Sequence, residues 1–206
     1  MTTSNTFIVF LLCTAVCIFA GFDIQHDDGI VGKTRKNGSG CLCHNAQSSS
    51  QVSVWLTGPA SIRPGSQALY TVHIAGGPAQ TGGFNVAAGH GALASGNSDL
   101  QLMSGELTHT HPKPFQSDTV SWDFLYQAPA SEGMDTIFAA GLSTNNNLTP
   151  DHADLWNFSP DFQVLVSSSA PQIVPSVVSF GLIALACLIA VIGTMTLRRD
   201  ASTPSR

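Results

Sequence analysis

Cys41-Leu42-Cys43-His44 gathers two thiols and an imidazole within four residues, behind Gly38-Ser39-Gly40. No other stretch of the chain is as concentrated in reactive side chains. A cysteine directly followed by histidine suits covalent haem attachment. The thiol adds to a haem vinyl group as a thioether, and the adjacent imidazole ligates the iron. The usual spacing is C-x-x-C-H, and here a single residue, Leu42, separates the cysteines. Cys43, next to His44, keeps the usual geometry; Cys41 is the displaced member. Thiolate and imidazole are also good ligands for zinc or copper. Two incidental thiols on a surface loop are the plain alternative. We order these readings as haem, metal ion, incidental thiols.

A haem iron that only transfers electrons usually takes a sixth ligand. His109, His111, His90, His73, Met103 and Met134 carry suitable atoms. A methionine there would raise the potential relative to a second histidine. His73 falls on the polar side of a strand pattern, His90 in a Gly-His-Gly loop, and His111 before Pro112. Each reads first as an ordinary surface residue. Asp151, His152 and Asp154 form a further polar cluster that reads as a solvated loop or an oxygen-lined cation site. The sequence has no Ser-His-Asp signature, no H-E-x-x-H and no phosphate-cradling glycine loop. An electron carrier or binding module therefore fits better than a catalyst.

Both ends of the chain point to a membrane. Residues 7–20 are uncharged and too short to span comfortably, as expected of a signal segment covering residues 1–20. Residues 177–197 are uncharged and long enough to cross, which takes about 20 residues. Arg198 and Arg199 follow at once and place the tail, 198–206, in the cytoplasm. The expectation is a single-pass protein of the cell membrane with its domain outside the cytoplasm. Cys13, Cys17 and Cys187 lie in the apolar ends, so only Cys41 and Cys43 reach the exported domain. Two thiols so close together close a tiny loop and make a poor structural staple. The net charge is −5 with 10% charged residues, and no long basic run exists to meet nucleic acid. The expected partners are the membrane and a redox protein.

Between the ends the pattern is that of strands. Val52, Val54 and Leu56 alternate with Ser53, Trp55 and Thr57. Ala68, Tyr70, Val72 and Ile74 repeat the period, as do Val120, Trp122, Phe124 and Tyr126, and later Phe162, Val164 and Val166. Gly58-Pro59, Pro64-Gly65 and Ala128-Pro129 mark turns. About seven short strands without an amphipathic helix predict an all-β sandwich. Its expected extent is 51–168, after a lead-in at 21–50 and before a stalk at 169–176. Residues 89–98 read as a glycine-rich loop, 106–114 as a polar connection and 144–156 as a long polar loop. Connections cluster at sandwich ends, which lets the one carrying His109 meet the cysteine motif.

Thr81-Gly-Gly-Phe-Asn-Val-Ala-Ala, Leu107-Thr-His-Thr, Val120-Ser-Trp-Asp-Phe-Leu-Tyr-Gln-Ala-Pro and Thr136-Ile-Phe-Ala-Ala-Gly together resemble the reelin-like (reeler) domain. They resemble more closely its bacterial relatives, the choice-of-anchor domain proteins. The resemblance covers roughly residues 41–166. It implies an immunoglobulin-like sandwich at the cell surface, with a cysteine-histidine motif before the first strand and varied membrane anchors. His109 takes the histidine position of the T-H-T segment, which makes it the expected distal iron ligand opposite His44. The resulting expectation is an exported, anchored protein with one haem c held by Cys41, Cys43, His44 and His109, acting in electron transfer. The alternatives are a surface binding or adhesion module with no redox role, or a Cys/His metal-binding protein.

Overall fold

The computed structural model describes residues 27–171. The expected signal segment, the expected membrane helix at 177–197 and the expected tail at 198–206 lie outside them, as does most of the expected stalk. Among the described residues no helix is long and apolar enough to cross a membrane.

The described residues are all-β. The strands are β1 (Val52–Thr57), β2 (Ser61–Ile62), β3 (Gln67–Gly76), β4 (Thr81–Ala88), β5 (Ala92–Ser95) and β6 (Leu100–Met103). After them come β7 (Glu106–His109), β8 (Lys113–Pro114), β9 (Thr119–Gln127), β10 (Gly133–Thr144), β11 (Leu155–Phe158) and β12 (Phe162–Val166). One four-stranded sheet runs β1-β3-β9-β5. A second, eight-stranded sheet runs β2-β12-β10-β4-β7-β6, with β11 also on β10 and β8 on β4. The β12–β2 pair is parallel. β1 and β3 pack against β10, which joins the two sheets into a sandwich.

The first sheet follows directly from the alternation. Val54 stands opposite Ile74, and Ile74 opposite Val120; Leu56, Val72 and Trp122 form the next row. All six side chains are buried. A one-residue slip would turn every one of them to solvent, so burial fixes the register. The second sheet contributes Phe84, Val86, Leu107, Ile137, Val164 and Val166 to the same core.

Three segments read as loops contain strands. β5 lies within 89–98, β7 and β8 within 106–114, and β11 ends the 144–156 loop. For β7 the reason is cover on both faces. Along β7, Leu107 enters the core while Glu106 and Thr108 are also buried. Along β4 only Thr81 escapes full burial. What covers the outer side is the lead-in. The Gly32 N–H donates to Glu106 Oε2 at 2.8 Å and the Lys33 N–H to Asn85 Oδ1 at 2.8 Å. The Lys36 ammonium and the Gln101 amide add bonds to Ala88 O and Asp28 O. The Arg35 guanidinium lies 5.0 Å from the Phe158 ring centre. The lead-in is thus strapped onto the second sheet through β4, β7 and β11, and it delivers the cysteine motif to a fixed place.

Candidate functional site

The motif is a tight turn. The His44 N–H donates to Cys41 O at 3.1 Å, closing residues 41–44. Gly40 enters this turn at φ +91°, a left-handed conformation that favours glycine, and its Cα lies against the Trp156 ring where no Cβ would fit. Trp156 Nε1 donates to Asn45 O at 2.8 Å, and Trp156 O accepts the Ser49 N–H at 2.8 Å. Trp156, on β11, is therefore the seat of the turn from both sides.

The turn aims His44 at a buried carboxylate. His44 Nδ1 lies 2.9 Å from Asp154 Oδ2, and the Asp154 side chain is only 3% exposed. Asp154 Oδ1 accepts the Asn145 N–H at 2.9 Å, and Oδ2 accepts the Asp151 N–H at 3.4 Å. A carboxylate accepts, so Nδ1 carries the proton, and in the neutral ring Nε2 keeps its lone pair. Metal-ligating histidines are oriented in this way, with the second ring nitrogen donating to a carboxylate. Sequence reading grouped Asp154 with Asp151 and His152 because they are neighbours in the chain. Its partner is 110 positions away, and no local signal announces that. Asp151 instead accepts Asn147 Nδ2 and the Ala153 N–H. The first of these bonds holds its carboxyl below the usual range. Among the described residues no cluster of three or more His, Cys, Asp and Glu is arranged to hold a metal ion.

Cys41 and Cys43 are both free thiols, Cys41 half-buried and Cys43 exposed. Desolvation pushes the Cys41 thiol up to about 12. Cys41, Cys43 and His44 line one cleft together with His109, the Thr81–Asn85 part of β4, Leu142 and the 144–150 loop. The cleft is open on one side; its cavity volume is about 140 Å³, and about 1010 Å³ with the adjoining solvent space. Anything as large as a macrocycle would sit in the groove with an edge in solvent.

His109 is 8% exposed, and its environment differs from that of His44. Its ring lies over Gly83, whose missing Cβ leaves room for it. The Phe84 N–H donates to His109 Nδ1 at 3.1 Å. A backbone amide can only donate, so Nδ1 is the bare nitrogen and Nε2 carries the proton. Among the described residues Nε2 has no protein partner. Burial is the main cause that brings the ring down to about 4 from 6.5, so it is neutral at pH 7. Iron ligation at Nε2 asks for a lone pair; this tautomer presents a proton instead. Beside it, Trp122 Nε1 is a buried donor without a partner among the described residues, 6.3 Å between ring centres.

The other histidines and methionines considered as ligands are not in the cleft lining. His73 lies on the outer face of the first sheet, bonded to Ser121 Oγ and Thr57 Oγ1 and stacked on Trp55. Met103 and Met134 are exposed on β6 and β10, and His90 and His111 are exposed in loops.

No protein-family profile matches the chain, and no curated protein matches it. Among solved structures it is similar to the CARDB domain of PF1109 from Pyrococcus furiosus, at 18% identity over 58% of this chain and 97% of that one, with a TM-score of 0.33. The same domain in complex with di-metal ions matches at 20% identity over 56% and 91%, with a TM-score of 0.32. The PKD domain of an M14-like peptidase from a Thermoplasmatales archaeon matches at 10% identity over 56% and 94%, with a TM-score of 0.34. Likenesses this distant carry no argument about activity, which has to come from the cleft.

Proposed function

We propose that this chain is an exported, membrane-anchored protein with an immunoglobulin-like, reelin-like sandwich that holds one covalent haem c in the cleft and serves in electron transfer. The observation that carries the reading is the Nδ1 bond from His44 to buried Asp154, made next to two free thiols. It leaves the Nε2 lone pair, which would hold the iron of a bound haem. Cys43, exposed and adjacent, would carry the thioether, and Cys41 a second one if the turn opens. Bound there, haem supplies one-electron exchange at its iron. The chain's own part is to fix the His44 tautomer through Asp154, to hold the turn on Trp156 and to keep water from one side through Phe84, Leu142 and Pro112.

The rival is a surface binding module with no redox role. The single residue between the cysteines and the half-buried Cys41 favour it, because two vinyl groups sit at fixed positions on a rigid ring. The deciding experiment is to produce the full chain in a host with haem-attachment machinery and measure a pyridine haemochrome spectrum on the denatured protein. Covalent haem near one per chain supports the proposal, and none overturns it. Protease added to intact spheroplasts is expected to remove the sandwich; its survival until lysis would overturn the exported topology.

A further inference from the structure

We infer that His109 is a hydrogen-bond donor to a small diatomic ligand taken up in the cleft, and that the site binds such a ligand in addition to exchanging electrons. This rests on the haem reading above. Three observations lead to it. The first is the tautomer, since the Phe84 N–H at 3.1 Å occupies the Nδ1 lone pair and leaves the proton on Nε2. The second is the missing partner: Nε2 of a ring that is 8% exposed meets no acceptor among the described residues, while the ring lines the cleft. Nε2 is thus a donor open to an acceptor that a ligand would bring. The third is the absence of a competitor. Of the candidate sixth ligands, only His109 reaches the cleft; Met103, Met134, His73, His90 and His111 do not line it.

These facts set the role of the cleft. A haem whose sixth position is filled by a protein side chain passes electrons, whereas one facing a free position and a fixed donor binds small molecules, because distal donors decide between those uses. The lone pair of His44 and the proton of His109 divide the tasks. The ligand class is a diatomic π-acceptor of the dioxygen, carbon monoxide and nitric oxide kind, bound to ferrous iron and polarised toward a donor.

Two measurements test this, one without haem. On the full chain labelled with ¹⁵N-histidine, long-range proton–nitrogen correlations at pH 7 should show His109 bare at Nδ1 and protonated at Nε2. The opposite tautomer overturns the inference whatever the haem content. On the haem-loaded chain, the reduced wild type should be high-spin and take up carbon monoxide directly. His109→Leu should raise the C–O stretching frequency and speed dioxygen release about tenfold, as expected for one lost hydrogen bond. His109→Gln keeps a donor and should restore both toward wild type. A low-spin ferrous wild type that turns high-spin in His109→Leu would make His109 an iron ligand and overturn the inference while leaving the haem reading intact. A chain without haem would overturn the haem reading, and this inference with it.

Discussion

His44 and His109 line the same cleft and present opposite chemistry to it. At His44, Nδ1 gives its proton to Asp154; at His109, Nδ1 receives one from the Phe84 amide. Nε2 of the neutral ring is therefore an acceptor in one case and a donor in the other. Neither ring sets this for itself. In each case the partner of the far nitrogen decides what the near nitrogen can do. His44 takes its partner from a loop far away in the chain. His109 takes its partner from a neighbouring strand, because Asn85 pairs with Thr108 and so brings Phe84 beside it. Changes to the partners should disturb the two rings separately.

The largest effect is expected at the seat of the turn. Trp156→Ala removes a 2% exposed ring that backs Gly40, bonds Asn45 O and stands edge-on to Phe158. Large-to-small core changes of this type cost about 3–5 kcal/mol. A urea midpoint should fall accordingly, and the His44 resonances should move while the His109 tautomer stays. Movement of both rings together would show that the cleft responds as one unit and would break the comparison.

Titration of His109 comes next. Its value in the fold, about 4, lies below the ordinary 6.5. The unfolded chain therefore binds more protons than the folded one between those values, and stability rises with pH across that window. The contribution is complete above about 6.5, falls as pH drops, and is gone below about 4. The gap corresponds to at most about 3 kcal/mol. Asp27 and Asp28 raise the value and His111 lowers it. His109→Gln should flatten the slope of urea midpoint against pH between 4 and 6.5. An unchanged slope would assign the pH dependence to another group.

The first sheet was legible from alternation alone, because one face of each strand meets the core and the other meets water. β4 and β7 were less so, since the lead-in covers their second face and buries Asn85, Glu106 and Thr108 along with the apolar residues. Period-2 reading needs a wet side. β11 was hidden for a related reason: Leu155-Trp156-Asn157-Phe158 is short and follows a polar loop, and its value lies in holding a turn more than a hundred residues earlier. The cysteine motif and His109 could be named from the sequence by residue type. The contact that orients His44, and the amide that fixes the tautomer of His109, are products of tertiary structure and leave no periodic trace.

Asp154→Ala should act on one ring only. It removes the acceptor for His44 Nδ1 and for the Asn145 and Asp151 amides. With water able to reach part of the loop, about 2 kcal/mol is expected from the stranded donors. Affinity for a group ligated by His44 should fall roughly 10–100-fold, the usual consequence of losing an outer-shell carboxylate. In the haem-free chain, His44 should become a mixture of tautomers by ¹⁵N NMR while His109 keeps its own. A His44 that stays protonated at Nδ1 would mean that the turn, not Asp154, sets its state.

The smallest effect is expected at His73, which supplies the third case. Its Nδ1 lies 2.7 Å from Ser121 Oγ and its Nε2 2.9 Å from Thr57 Oγ1. Both partners are hydroxyls, which donate or accept by rotating, so nothing there selects a tautomer. Burial lowers the pKa of this ring too, against the pull of Asp123. A shifted value by itself therefore does not separate His73 from His109; the fixed donor does. His73→Ala loses two bonds between partly exposed groups and a stack on Trp55 at 4.9 Å. Water replaces much of that, and the cost should stay within about 1 kcal/mol. By ¹⁵N NMR the wild-type ring should populate both neutral tautomers at pH 8. A single His73 tautomer would mean that hydroxyl pairs fix imidazoles as firmly as a carboxylate or an amide does, and the contrast between His44 and His109 would then need a cause other than their partners.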